Sequence, residues 1–192
     1  MKIRTTRYRI IEAADQLFYQ QGYENTSFAD IAAAVQISSG NCYHHFKTKD
    51  EILAAVIEFR LAKTQALLEQ WAKDGDTPEA RIRSFIHILM MNKSKIKLYG
   101  CPVGTLCSEL AKLDHVALDH ANDIFTLFRA WLRKQFSQLG CKRESDDLAM
   151  YLLVQSQGVA TLASAFQDEK IIKKEVKRIN AWLTTQVEEY AR

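Results

Sequence analysis

Apolar residues recur three and four positions apart along nearly the whole chain, and this spacing predicts amphipathic helices. The first such face combines Ile10, Ile11, Ala14, Leu17 and Phe18. Only two prolines and seven glycines interrupt the 192 residues, so the helices should be long. The pattern predicts an all-α fold of about nine helices. It contains no internal repeat and no low-complexity linker.

The first three predicted helices are short and occupy residues 1–47. Gly22 should end the first helix, because glycine adopts the left-handed conformation at little cost. Ser27 and Ser38 should cap the second and third helices through their hydroxyl groups. We therefore expect a separate three-helix domain at the N-terminus.

A longer fourth helix begins where Thr48 and Glu51 predict a capping box. It opens a larger helical domain over residues 48–192. Thr77 and Pro78 predict the start of a fifth helix that continues to about residue 99. Four more helices are predicted at residues 105–113, 115–139, 144–166 and 168–190.

The formal net charge of +3 and the pI near 8.6 are too mildly basic to indicate nucleic-acid binding by themselves. The basic residues Lys2, Arg4, Arg7 and Arg9 nevertheless cluster before or within the start of the first helix. No apolar run approaches the roughly 20 residues that span a bilayer, and the N-terminus does not resemble a secretory signal. We expect a cytoplasmic protein without a membrane partner.

The four cysteines are expected to be reduced thiols in that compartment. Their spacing fits neither a disulfide framework nor a CxxC metal site. The chain also has no Gly-rich phosphate loop, no HExxH sequence and no nucleophile elbow. Glu109, Asp114 and His115 could form a hypothetical acid-base site, but polar residues are ordinary at a helix end. We expect no enzyme activity, no metal and no cofactor.

Residues 26–52 contain two short predicted helices joined by a tight turn. This arrangement is typical of a helix-turn-helix, whose second helix enters the DNA major groove. The free amides near Ser38, Ser39 and Gly40 should favour a phosphate, assisted by the helix dipole. Gly40 also permits close approach of backbone and DNA, and Asn41 can pair with an adenine edge.

Further polar side chains around the second helix suit phosphate binding, which orients a protein without reading the sequence. They are Tyr43, His44, His45, Lys47 and Lys49. The two histidines are adjacent and therefore point about 100° apart, so they do not indicate a metal site. Cys42 and Phe46 are expected on the buried face.

The order and spacing of these residues resemble the N-terminal domain of TetR-type transcriptional regulators over roughly residues 5–55. The matching positions are Gly22, Tyr23, Thr26, Asp30, Ile31, Ala32, Ser38, Gly40, Tyr43, His45, Phe46 and Lys49. The resemblance adds Thr26 to the expected DNA-binding residues. It implies a homodimeric repressor that binds a palindromic double-stranded operator and leaves it when a small molecule binds the C-terminal domain. The resemblance does not identify that effector, which we expect to be apolar or amphipathic.

One departure from the family lies in the turn. The family usually has Ala-Gly-Val where this chain has Val35, Gln36 and Ile37. If the backbone keeps a positive φ there, Gln36 bears a strain of roughly 1 kcal/mol that glycine avoids. Cys42, where the family often has leucine, leaves a smaller core side chain.

In such regulators the last two helices form a four-helix bundle across a twofold axis. The corresponding stripes here are Leu152, Val159, Leu162, Ile172, Val176, Ile179, Leu183 and Val187. The alternative is that these stripes pack within their own chain, and periodicity does not decide between the two.

An apolar effector pocket is expected between the helices of the larger domain. Its candidate lining residues are Phe85, Leu89, Met90, Tyr99, Cys101, Phe125, Phe128, Trp131 and Phe166. Aromatic residues at helical spacing are more often core than pocket, so the same residues also fit a simple core.

Two alternative functions stay open. The turn around Cys101 resembles that of family members whose cysteine senses electrophiles or oxidants, with Cys107 as a possible resolving partner, although a buried inert thiol is the preferred interpretation. The second alternative is an architectural DNA-binding protein without a small effector.

Overall fold

The computed structural model describes residues 5–190, which form ten α-helices and no strand. The helices are α1 Thr6–Gln21, α2 Phe28–Val35, α3 Ser39–His45, α4 Lys49–Asp74, α5 Pro78–Met91, α6 Lys93–Tyr99, α7 Pro102–Lys112, α8 Leu118–Gln138, α9 Ser145–Ala165 and α10 Glu169–Tyr190. The all-α prediction is confirmed. The predicted fifth helix is divided at Asn92 into α5 and α6, which accounts for one additional helix.

The predicted caps explain several helix boundaries. Thr77 accepts the Ala80 amide at 3.1 Å at the start of α5, with Pro78 in the first turn. Gly22 follows α1 with φ +91° and ψ 160°, so its φ is positive but its conformation is not left-handed helical. The short predicted helix at residues 105–113 begins earlier, at Pro102.

The first compact unit contains the described residues up to Lys63 together with Thr105–Asp123. In this unit α2 packs against both α1 and α3. Their shared core consists of side chains that are less than one-tenth exposed, among them Ile10, Ala14, Phe18, Ile31, Val35, Cys42 and Phe46. Arg60 of α4 is also buried, and its Nε lies 2.6 Å from Oδ1 of Asp15. The three-helix N-terminal arrangement thus has its own apolar core.

The second compact unit contains Thr64–Gly104 and the described residues from Ile124 onward. Here α10 packs against α5, α6 and α9. Arg83 of α5 joins this packing, because its guanidinium donates to Oδ1 of Asn180 at 2.8 Å and to Oγ1 of Thr184 at 2.9 Å. The helix α4 has its first half in one unit and its second half in the other.

By length and composition alone, α9 is apolar enough to cross a membrane, although no contiguous apolar run of that length occurs in it. Core helices of soluble proteins meet the same criterion. Eight residues of α9 are buried, including Leu152, Val159 and Ala163. The composition of α9 is therefore weak evidence for a membrane span.

Candidate nucleic-acid interface

The hydrogen bonds of α2 and α3 fix a helix-turn-helix. Ser27 accepts the Asp30 amide while the Asp30 carboxylate accepts the Ser27 amide, which completes a capping box. The Ser27 hydroxyl also donates to the Asp30 carboxylate, and this bond, together with that from the Ser27 amide, holds the pKa of the Asp30 carboxyl below its usual range. At the other helix, Ser38 Oγ accepts the Asn41 amide at 3.2 Å. Both predicted caps are therefore present.

The turn between the two helices passes through Gln36, which has φ 60° and ψ 46°. The Gln36 amide donates to Ala33 O and the Ile37 amide donates to Ala32 O, each at 3.0 Å. This pair of bonds is a Schellman motif, whose left-handed position glycine usually occupies. The positive φ that would strain Gln36 is therefore present.

The N-terminal end of α3 is exposed at Ser39, Gly40 and Asn41. A Cβ atom added to Gly40 would meet only Ser38 Oγ, at 3.9 Å. Glycine in an exposed helix costs roughly 1 kcal/mol relative to alanine, and no contact among residues 5–190 requires it here. This position therefore fits a surface that another molecule must approach closely.

The opposite face of α3 anchors it to the unit. Cys42 is fully buried and Phe46 is nearly so, as the sequence predicts. Burial raises the pKa of the Cys42 thiol, which makes it a packing group rather than a reactive one. The Arg7 guanidinium lies 4.7 Å from the centre of the Phe46 ring.

Tyr43 is held in place by a neighbour on α2. Its ring is stacked on that of Phe28, with the centroids 4.4 Å apart and the planes within 5°. The ring remains about half exposed, so its hydroxyl can face a phosphate from a fixed position. The adjacent rings of His44 and His45 meet edge to face, and no metal-binding cluster occurs among residues 5–190.

Two of the predicted phosphate ligands use their charge within the chain. Lys47 Nζ donates to Tyr43 O at 2.9 Å, which stabilises the C-terminal end of α3. Lys49 Nζ donates to Tyr23 O at 3.0 Å and to Glu24 O at 3.3 Å, and it lies 4.2 Å from the Tyr23 ring centre. Lys49 thus binds the loop between α1 and α2 in this structure, which differs from the expected phosphate contact.

The structure also corrects the role of Thr26. Its side chain is 1% exposed, and its hydroxyl donates to Gly22 O at 2.6 Å. Its amide donates to Tyr23 O at 3.2 Å. Both donors of Thr26 therefore stabilise the loop, and the side chain is not available to DNA.

Among the basic residues near the start of the chain, Arg9 joins two helices, a role that the sequence does not reveal. Arg9 Nη2 donates to Val35 O at 2.6 Å and so joins α1 to the end of α2. The predicted contributions of Lys2 and Arg4 lie outside the described residues.

The predicted capping box of α4 is incomplete, because Glu51 accepts the Lys47 amide at 2.7 Å rather than that of Thr48.

A second group of polar residues lies behind the loop between α1 and α2. Glu109 of α7 accepts the amides of Tyr23 and Glu24, and the Tyr23 hydroxyl donates to Asp50. His115 Nε2 lies 3.5 Å from Oδ1 of Asp50, while its Nδ1 accepts the Ala117 amide. The structure thus gives Glu109 and His115 bonding roles that do not form the hypothetical acid-base site.

The comparisons with known proteins agree with this geometry. The model of the bacterial regulatory proteins of the tetR family matches residues 10–56, which include α2, the turn and α3. The chain belongs to the TetR family. An uncharacterized HTH-type transcriptional regulator in the lacX 3' region of Lactococcus lactis subsp. lactis is 28% identical over 175 residues, which cover 89% of each protein.

Further relatives support the same assignment. The HTH-type transcriptional regulator QacR of Staphylococcus aureus is 35% identical over 66 residues, or 34% of each chain. A TetR transcriptional regulator from Legionella pneumophila has a similar structure, with a TM-score of 0.84 and 26% identity over 94% of this chain and 98% of that one. This protein is therefore a DNA-binding transcriptional regulator of the TetR family, and its relatives are regulators rather than enzymes.

The expected dimer residues of this TetR-family chain are mostly buried within a single chain. Leu152, Val159, Ile172, Val176, Ile179 and Leu183 are each less than one-tenth exposed, and Val187 is half-buried. Of the eight, Leu162 is the exposed one, at 51%. It belongs to an exposed stripe along α9 that also contains Tyr151, Val154 and Gly158 and ends at Phe166, the residue directly after the helix. We call these five residues the α9 outer face.

The expected effector residues likewise lie mainly in the core of the second unit. Phe85, Leu89 and Phe128 are buried, and the rings of Phe85 and Phe128 are 5.5 Å apart. Met90, Tyr99, Cys101, Phe125 and Trp131 are partly buried, and Phe166 is 70% exposed. Because Phe166 is so exposed, it does not line a pocket within a single chain.

An open cavity of about 720 Å³ is present elsewhere in the second unit, between α4, α5 and α10. Leu67, Trp71, Ile88 and Met91 supply apolar walls, and His87 is among the polar residues that surround them. None of the nine predicted pocket residues lines this cavity. The residues of α5 that line the cavity lie on the face of the helix next to the one that carries the predicted pocket residues.

Proposed function

We propose that this TetR-family protein is a homodimeric repressor that leaves a palindromic operator when a small apolar or amphipathic molecule binds its second unit. The observation that carries the DNA-binding part is the exposed N-terminal end of α3, where Gly40 leaves the backbone accessible beside Asn41. A regulator of chromosomal DNA would act in the cytoplasm.

The proposed functions of the two parts of the chain follow the expected domains. Residues 1–47 bind DNA, and residues 48–192 bind the effector and form the dimer. The helix α4 has 26 residues and is therefore about 39 Å long, with residues in both units. A ligand that favours one position of α4 would change the separation of the two α3 helices in the dimer.

A selection of genomic DNA fragments with the purified protein tests the DNA-binding proposal. We expect a palindromic site whose half-sites are about one helical turn apart, with affinity that falls steeply as salt rises. Asn41→Ala should relax the preference at one base position, whereas Tyr43→Ala should weaken all sequences alike. Binding at many unrelated sites, with no sequence preference, would instead favour the architectural alternative.

The α9 outer face supports the homodimer. Its apolar side chains are exposed in the single chain, and Gly158 has no atom within 4 Å of a built Cβ. Glycine at this position would let a second helix approach closely. We expect Leu162→Glu to convert the dimer to a monomer in light scattering, because it would bury a charge in an apolar interface. Lys173→Glu, on the exposed side of α10, is the matched control and should leave the dimer intact.

The cavity between α4, α5 and α10 supports an effector site. Trp71 lies in its wall, so an occupying ligand should alter tryptophan fluorescence. A library of small amphipathic compounds can be screened by that signal and by release of the operator. Ser84→Trp should fill the cavity and abolish both responses to any compound that binds there. An unchanged response would place the effector elsewhere.

A thiol sensor at Cys101 is the second candidate, supported by the start of α7. Cys101 directly precedes Pro102, and the Gly104 amide donates to its Sγ at 3.5 Å. The thiol therefore occupies the N-cap position of α7. Oxidation with diamide should release the operator from the wild type but not from Cys101→Ser. An equal response in both proteins would remove this candidate.

A further inference from the structure

Glu109 lies on α7, 86 residues after Tyr23 in the sequence, yet both of its carboxylate oxygens bind the loop between α1 and α2. Oε2 accepts the Tyr23 amide and Oε1 accepts the Glu24 amide, each at 2.9 Å. Bonds from amides to a carboxylate are stronger than those to a neutral acceptor. One side chain thus fixes two consecutive peptide groups of the loop.

The fit between this carboxylate and the loop is close. A Cβ atom at Gly22 would come within 2.9 Å of Oε1 and 3.2 Å of Oε2 of Glu109. Gly22 also has φ +91°, which other residues adopt only with strain. The absence of a side chain at Gly22 is therefore required by the position of Glu109 as well as by the backbone.

Tyr23 extends these contacts to the start of α4. Its hydroxyl donates to Asp50, and its carbonyl accepts from Lys49, so the loop binds the first two residues of that helix. The side chain of Tyr23 is 4% exposed, and the His115 ring packs edge to face against it at 5.3 Å. Because α3 ends at His45 and α4 begins at Lys49, three residues separate these contacts from α3, the helix expected to enter the DNA groove.

We infer that Glu109 is a positioning residue for DNA binding: its two bonds to the loop hold Tyr23, and through Tyr23 the start of α4, in the arrangement that presents α3 to the operator. The inference rests on the proposed DNA-binding function. It assigns to α7 a part in operator affinity, although α7 lies outside residues 10–56, which the family model matches.

The sign of the effect separates positioning from simple electrostatics. Removal of a negative charge from a DNA-binding protein should strengthen DNA binding, because phosphate repulsion falls. Loss of a positioning residue should weaken it. Glu109→Gln is isosteric and uncharged, but its amide group retains only one acceptor oxygen for the two backbone donors.

The test measures the affinity of the full-length wild type and Glu109→Gln for the duplex that the genomic selection yields, by fluorescence anisotropy over a range of salt concentrations. We expect Glu109→Gln to bind at least about fivefold more weakly, with fewer phosphate contacts and therefore a shallower salt dependence. Hydrogen exchange should show faster exchange of the Tyr23 and Glu24 amides. A change of stability alone would not reduce the salt dependence.

Asp114→Asn is the matched control. It removes the same charge just beyond the end of α7, where Asp114 is exposed and has φ 49°, a conformation that asparagine tolerates. Its affinity should equal or slightly exceed that of the wild type. Gly22→Ala provides an independent second perturbation and should weaken binding as well, because the new Cβ displaces the Glu109 carboxylate.

Two outcomes have different meanings. If the wild type selects no specific duplex, the proposed DNA-binding function fails before Glu109 is tested. If the wild type binds its site and Glu109→Gln binds equally well or more tightly, only the positioning role is overturned. Should Gly22→Ala not fold, Glu109→Gln decides the question alone.

Discussion

Replacement of Gln36 by glycine should leave the protein as stable as before or make it more stable. The perturbation is local, because Gln36 is exposed and its side chain has no hydrogen bond among those found in residues 5–190. Its backbone has φ 60° and ψ 46°, in the left-handed region. A residue with a Cβ pays about 1–2 kcal/mol there.

The net change is smaller than this strain. Glycine gains conformational entropy in the unfolded chain, which lowers stability by about 0.4–1 kcal/mol. The difference predicts stabilisation of about 0–1.6 kcal/mol for Gln36→Gly. For a chain of this length, that corresponds to a rise in melting temperature of at most about 6 °C.

Thermal unfolding followed by circular dichroism measures the effect. The control is Ala34→Gly, an exposed position two residues earlier within α2. It introduces the same residue into a right-handed helix and should destabilise by about 1 kcal/mol. If Gln36→Gly lowers the melting temperature as much as Ala34→Gly, the turn does not have this left-handed conformation in solution and the reasoning is wrong.

The remaining predictions concern buried charge, base reading and acid stability. Asp15→Ala should destabilise by about 2 kcal/mol or more in urea unfolding, because it leaves the buried Arg60 guanidinium without its carboxylate partner, and Arg60→Met should cost less. Asn41→Ala should alter base preference without lowering the melting temperature, since its side chain is exposed. The hydrogen bond from Tyr23 lowers the pKa of Asp50, so this pair stabilises above about pH 4 and loses its contribution as the pH falls through the folded-state pKa. Tyr23→Phe should therefore reduce the acid sensitivity of the melting temperature.

The local features of the interface could be read from the sequence because their causes are local. Ser27 and Ser38 cap the helices that they precede, and each bond spans only three residues. The buried positions Cys42 and Phe46 follow from helical periodicity. The positive φ of Gln36 was expected from the family resemblance rather than from its residue type, since glutamine does not indicate a left-handed turn.

The contacts of Lys49 and Glu109 were not readable in the same way. Each depends on where a distant segment lies, and Glu109 reaches a loop 86 residues earlier in the chain. Thr26 bonds to Gly22 and Tyr23 within its own loop, and only the family resemblance had assigned it to DNA. A lysine after a recognition helix has the same sequence signature whether it binds a phosphate or a carbonyl oxygen. The one sequence signal for the Glu109 contact was Gly22. A glycine at this position is also explained by the end of α1, so it did not point to Glu109.

The two sides of α9 show why periodicity alone did not separate the apolar residues that pack within the chain from those that remain exposed. At 100° per residue, Leu152 and Val159 differ by about 20°, and both point into the chain. Leu162 lies about 80° from Leu152 but only about 20° from Tyr151, so it belongs to the outer face. A helix that is apolar on both sides must bury both of them, either within its own chain or in an assembly. The core of the second unit covers the inner side, and a second copy of α9 would cover the outer one.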